Sequence, residues 1–204
     1  MKDEYSYIEF TIGNLDRFAC LQKMFEKLKE VKNNWLPDIY LKEKNDLNYS
    51  DPVDSFPWKN YLDREAAEWF ANTFDFDSEE GIIYWKLLEL TKPEIRSQHP
   101  FFKTPGNWYF ESMLDAIFNG DYFLIDLIKE KKNQGCLYYK PRAYPFGGSG
   151  SLVELIKSFG NKITYDSSQK NNSVKDSEWN FELAKKLVKE GIGFTPELLQ
   201  NRNV

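Results

Sequence analysis

Two hydrophobic periodicities stand side by side at the start of this chain, and together they point to a mixed fold. From Tyr5 to Ile12 the pattern alternates. Ser6, Ile8, Phe10 and Ile12 form a mostly apolar set, and Tyr5, Tyr7, Glu9 and Thr11 an amphipathic one. That is the period-two mark of a half-buried strand. Gly13-Asn14 breaks it, and Asn14 is suited to cap a helix. Phe18, Leu21, Met24, Phe25, Leu28 and Val31 then recur at helical spacing as far as about Lys32, with Glu26, Lys27, Lys29 and Glu30 on the other face.

The same reading extends along the chain. Residues 33–60 are expected to be irregular, broken by Pro37, Pro52 and Pro57 but too apolar for a free linker. Asp63 can cap a helix with Ala66, Trp69, Phe70 and Phe74 inward. Asp77 or Ser78 can cap the next, Glu79 to Leu90, and Asp77 with Glu80 reads as a capping box. Trp69 and Trp85 fall at helical spacings that suit a core. Asn107 opens a helix that Gly120 closes. Residues 121–130 and 136–140 form a β-hairpin turning at Asn133-Gln134-Gly135, or else the helix continues across Gly120. Ser151 and Glu154 read as a second capping box, with Gly160 behind the helix. Lys162 to Tyr165 suggests another strand, and Ser177 a cap for the last full helix. The polar stretch 166–177 is expected to be a mobile surface loop.

The fold class expected is therefore α+β: a single domain over residues 1–204, with five or six helices packed on a small, mainly antiparallel sheet.

Composition excludes more than it selects. The net charge is −5, so the strongly basic footprint of a nucleic-acid binder is absent. Residues 51–100 hold 11 acids and 5 bases, so that window carries −6 and the rest of the chain +1. Any partner drawn by charge is a protein with a basic surface. One histidine, His99, and two distant cysteines, Cys20 and Cys136, make neither a structural zinc set nor a disulfide framework. His99 precedes Pro100 and Phe101, which suits packing better than base catalysis. No apolar run approaches a bilayer span and no signal-peptide core is visible. A cytoplasmic location with reduced thiols, no cofactor, no metal and no membrane partner is expected. The oligomeric state stays open.

Two stretches carry candidate chemistry. Asp75, Asp77, Glu79 and Glu80 are the densest acids, and they form the candidate partner surface. They begin like a calcium loop, but Glu80 stands where that loop needs glycine and Lys86 where it needs a bidentate Glu. Lys140, Arg142, Tyr144, Gly147, Gly148, Ser149 and Gly150 form the candidate ligand site. There the glycines lead into a helix whose free N–H groups suit an anion. The segment matches neither a phosphate loop nor the dinucleotide fingerprint, so a plain turn that needs glycine dihedrals is the preferred explanation of the glycines.

These observations lead to the expectation of a cytoplasmic protein-binding module, of the inhibitor or immunity type, using its acidic surface. A small ligand- or anion-binding protein or enzyme built on Gly147–Gly150 is the alternative.

Overall fold

The computed structural model describes residues 4–41, 52–96, 99–103, 106–143, 148–168 and 179–200. In chain order the elements are β1 (Ser6–Thr11), α1 (Leu15–Leu41), α2 (Arg64–Ala71), α3 (Glu79–Leu90), α4 (Pro93–Arg96), α5 (Phe110–Asn119), β2 (Tyr122–Lys129), β3 (Gln134–Pro141), α6 (Gly150–Ser158), β4 (Lys162–Asp166), α7 (Phe181–Glu190) and α8 (Glu197–Gln200). The fold is α+β. The chain forms two compact units, each assembled from two stretches: Met1–Ala71 with Trp108–Lys170, and Asn72–Asn107 with Asn171–Val204.

The first unit holds the sheet, four strands in the order β2-β3-β1-β4. Every pairing is antiparallel. Ile8, Phe10 and Ile12 of the expected strand are buried, as the alternation requires. They meet Phe18, Leu21, Met24, Phe25 and Leu28 of α1 in one core with Ile117, Leu137, Leu155 and Phe159. Each such side chain contributes about 1.5–3 kcal/mol on full burial. Asn14 caps α1 as expected, its Oδ1 accepting from the N–H groups of Asp16 and Arg17 at 2.8 and 3.1 Å.

Several boundaries differ from the sequence reading. The helix expected to stop near Lys32 runs to Leu41, through Pro37. Its continuation is anchored by tertiary contacts. Asn33 exchanges two hydrogen bonds with the backbone of Leu124 in β2, and the Lys32 amine reaches the carbonyls of Phe118 and Gly120. The expected β-hairpin follows Gly120 in place of a continued helix, but its turn is not at Gly135. That glycine lies inside β3 opposite Phe10, and a Cβ there would stand 2.3 Å from the Phe10 ring. The turn closes earlier, with Glu130 N–H donating to the Gln134 carbonyl at 2.7 Å and Lys132 at φ 59°.

Asn107 does not cap α5, which begins at Phe110 after Tyr109; the Asn107 N–H instead donates to the Asn72 carbonyl. The Ser151–Glu154 capping box is also absent. α6 starts at Gly150, and the Glu154 carboxylate accepts from the Trp69 indole and the Trp108 N–H. A half-buried indole and a backbone N–H from distant segments claim the acid that a local box would have used. Gly160 closes α6 at φ +75°, the conformation expected of a helix-ending glycine. Of the stretch 166–177, Asp166 ends β4 and Ser167 and Ser168 form a turn; the remainder of that expected loop lies outside the described residues.

The second unit, among the described residues, is helical. α3 and α7 frame a core of Phe74, Tyr84, Leu87, Phe101, Phe102, Leu183, Ala184, Leu187 and Phe194. Phe101 stacks on Phe194 with centroids 4.3 Å apart. The Asp77–Glu80 capping box is replaced by Ser78, whose Oγ accepts from the Gly81 N–H at 3.1 Å. α7 is capped by Asn180, whose Oδ1 accepts from Leu183 N–H, rather than by Ser177, which lies outside the described residues. Trp85 is 49% exposed rather than core.

Candidate functional site

In the second unit the four acids sit at the entrance to α3. Asp75 organises the turn: its carboxylate accepts from the Asp77 N–H at 2.9 Å, and its carbonyl from the Ser78 hydroxyl at 2.6 Å. Asp75, Asp77 and Glu79 are exposed, and Glu80 is half-buried. Besides Asp75, two of the four already have side-chain partners within the unit. Glu79 pairs with Lys185 of α7 at 2.6 Å. Glu80 accepts the Trp179 indole N–H, also at 2.6 Å.

The helix behind these acids is apolar on both sides. Gly81, Tyr84 and Leu87 face the core. Ile82, Trp85 and Leu90 face outward and are 46%, 49% and 44% exposed. On that outer side the exposed Ile82 and Trp85 stand among the charged side chains of Glu79, Lys86 and Glu89. The Phe76 ring lies 5.6 Å from that of Trp85, which sets the acidic turn beside the exposed indole. The helical spacing of Trp85 suits a core, but the residue faces outward. The signal that marks it as a surface residue is its place beside Lys86 and four residues before Glu89, on the charged side of α3.

In the first unit, the candidate ligand segment is described in part; Tyr144 and Gly147 lie outside the described residues. Gly148 adopts φ +83°, with no heavy atom within 4 Å of the position of a Cβ. Gly150 has no such need: it is the first residue of α6, and a Cβ there would touch Trp108 at an ordinary 3.5 Å. The hydroxyl of Ser149, the residue preceding α6, donates to the Asp166 carboxylate at 2.5 Å and lies 2.9 Å from the Ser168 hydroxyl. Asp166 also accepts from the N–H and hydroxyl of Ser168. A carboxylate beside a helix N-terminus is stabilised by the helix dipole. Asp166 therefore places a carboxylate on the hydroxyl of the residue that precedes α6.

Lys140 is exposed at the end of β3, and the Arg142 guanidinium lies over the Phe123 ring at 5.4 Å and 3.8 Å from Asp121. The sequence did not single out Lys32. Its side chain is fully buried, its amine lies 4.4 Å from the centre of the Tyr122 ring, and burial pushes its pKa down to about 7.

His99 is a packing residue. Its Nδ1 accepts from the Phe101 N–H at 3.1 Å, its ring meets Phe194 at 4.7 Å, and burial lowers its pKa. Neither Cys20 nor Cys136 is in a disulfide. Among the described residues no cluster of three His, Cys, Asp or Glu side chains could hold a metal ion, and no helix is long and apolar enough to cross a membrane. No protein-family model, curated protein or solved structure matches this chain.

Proposed function

We propose that this chain is a protein-binding module of the inhibitor or immunity type, acting in the cytoplasm through the acidic turn and the outer face of α3. The observation that carries the reading is Trp85, half exposed on a helix whose opposite face is already buried. Exposed tryptophan is the residue type most often found as an interface anchor. Asp75 and Asp77 lie beside it and favour a partner contact of positive charge.

The test is capture from the source cell with immobilised wild-type protein and with Trp85→Ala. A partner lost on Trp85→Ala, and weakened as salt rises, supports the reading. Capture that ignores both changes overturns it.

A further inference from the structure

We infer that residues 179–194 form a strap that closes the second unit, and that release of the strap opens this unit while the sheet of the first stays folded. The inference concerns the inner side of α3 and does not rest on the reading of its outer face. The strap is tied at both ends of that helix. At the start of α3, the Trp179 indole donates to Glu80 at 2.6 Å. Just past its end, the Phe194 N–H donates to the Thr91 hydroxyl at 2.9 Å, and that hydroxyl donates to the Leu87 carbonyl. Between the ties, Leu183, Ala184 and Leu187 of α7 enter the core. The Phe101 ring touches both ends of the strap, stacked on Phe194 and 5.3 Å from the ring of Trp179. Gly193 allows the strap to lie against the helix end, because a Cβ there would collide with the Leu90 carbonyl.

The core of this unit is shared between two distant stretches. Phe74, Tyr84, Leu87, Phe101 and Phe102 come from residues 72–107, and Leu183, Ala184, Leu187 and Phe194 from the strap. Each set is buried by the other. α7 has ten residues, too few to hold a helix in water without packing. The Glu79–Lys185 pair that also joins the stretches is exposed and adds little. Loss of the strap therefore bares Tyr84, Leu87, Phe101 and Phe102 together, as an apolar groove along α3. The first unit has a core of its own. The stretch 72–107 is also closed at its neck, where the Asn107 N–H donates to the Asn72 carbonyl at 3.1 Å and Asn107 bridges Thr73. Opening beyond a closed neck pulls on neither end of the stretch. Local opening of this kind costs less than global unfolding when few buried contacts hold the opening piece.

The experiment is native-state hydrogen exchange of the full chain, read by mass spectrometry. In wild type the amides of α3 and α7 should share one opening free energy, lower than that of β1 and β3. Gly193→Ala should speed exchange in both helices by about tenfold or more, because its methyl group meets backbone that cannot yield. Exchange in β1 and β3 should stay as in wild type. Thr91→Val removes the acceptor of the Phe194 N–H and should act in the same direction, so it carries the test if Gly193→Ala does not fold. Both variants should also bind more of a dye that fluoresces on apolar surface, as bared core does. Exchange of α7 while α3 keeps its protection would mean that the strap peels away without opening the unit. Exchange of both helices only together with the sheet would mean that the chain opens as one piece. Either result, or a variant that speeds the sheet as much as the helices, overturns the inference.

Discussion

The amine of Lys32 donates to the Gly120 carbonyl at 2.6 Å, joining α1 to the end of α5 inside a fully buried site. A second contact reaches the Phe118 carbonyl at 3.3 Å. A neutral amine has two N–H groups, enough to serve both acceptors. Burial favours that neutral form, and the repulsion of Arg142 adds to it, while Asp121 opposes it.

A pH dependence follows. The folded pKa of Lys32 is about 7, against an ordinary 10.5. Between those values the unfolded chain binds a proton that the folded chain lacks, so stability rises with pH. The gain is absent below about 7 and complete above 10.5. Urea unfolding at pH 7 and pH 9 should show wild type gaining about 2 kcal/mol. Lys32→Met should lose that slope, and at pH 9 it should be less stable by about 1–3 kcal/mol because two carbonyls lose their donor. An equal slope in wild type and variant would refute this assignment.

Gly148 and Gly150 should respond differently to the same substitution. Gly148→Val forces a branched side chain into φ +83° and should cost about 1–3 kcal/mol, although the space around it is open. Gly150→Val meets only Trp108 at 3.5 Å in a helical position and should cost under about 1 kcal/mol. Thermal melts of the two variants decide the matter. Equal losses would mean that backbone conformation is not what selects glycine at 148.

Local periodicity made β1, the first turns of α1, α3 and the hairpin legible, because each is written in neighbouring residues. The errors arose where distant groups claimed a local side chain. Glu154 looked like a cap partner for Ser151 until Trp69 and Trp108 were seen to donate to it. Glu80 looked like one for Asp77, and Trp179 donates to it. Gly135 read as a turn because nothing local reveals that the Phe10 ring lies against it. The acids of the candidate surface could be listed from the sequence, but which of them are already paired could not. Lys32 sits on the apolar side of α1 where an aliphatic residue would be expected, and only the fold shows the carbonyls that accept it.

Tyr84 and Trp85 are adjacent in sequence and opposite in role. The Tyr84 ring is buried and its hydroxyl donates to the Phe102 carbonyl at 3.0 Å. Tyr84→Ala should cost about 3–5 kcal/mol, as large aromatic deletions in a core do. Trp85→Ala removes a half-exposed ring and should cost under about 1 kcal/mol. Chemical denaturation of both variants checks the split. A large loss for Trp85→Ala would mean that its ring supports the unit and would weaken its reading as an anchor.

Charge reversal at the entrance to α3 should separate binding from folding, provided the right acids are chosen. Glu80 must stay, because it holds the Trp179 indole, and its loss would strand a half-buried donor. Glu79→Lys would set a like charge against Lys185 and change stability along with binding. Asp77 is the cleanest choice: it is exposed, and Ser78 rather than Asp77 caps the helix. Asp75 adds charge but also orders the turn through the Asp77 N–H, so Asp75→Asn accompanies Asp77→Lys in place of a second lysine. The pair changes the local charge by three while stability should move by about 1 kcal/mol or less. Against a basic partner the association rate should fall several-fold at low salt, and the difference should close as salt rises, with the dissociation rate little altered. Stopped-flow or surface-based kinetics at two ionic strengths would measure it. An unchanged association rate at low salt would show that the acids of this turn do not steer the partner, and the docking role would then fall to the apolar face of α3 alone.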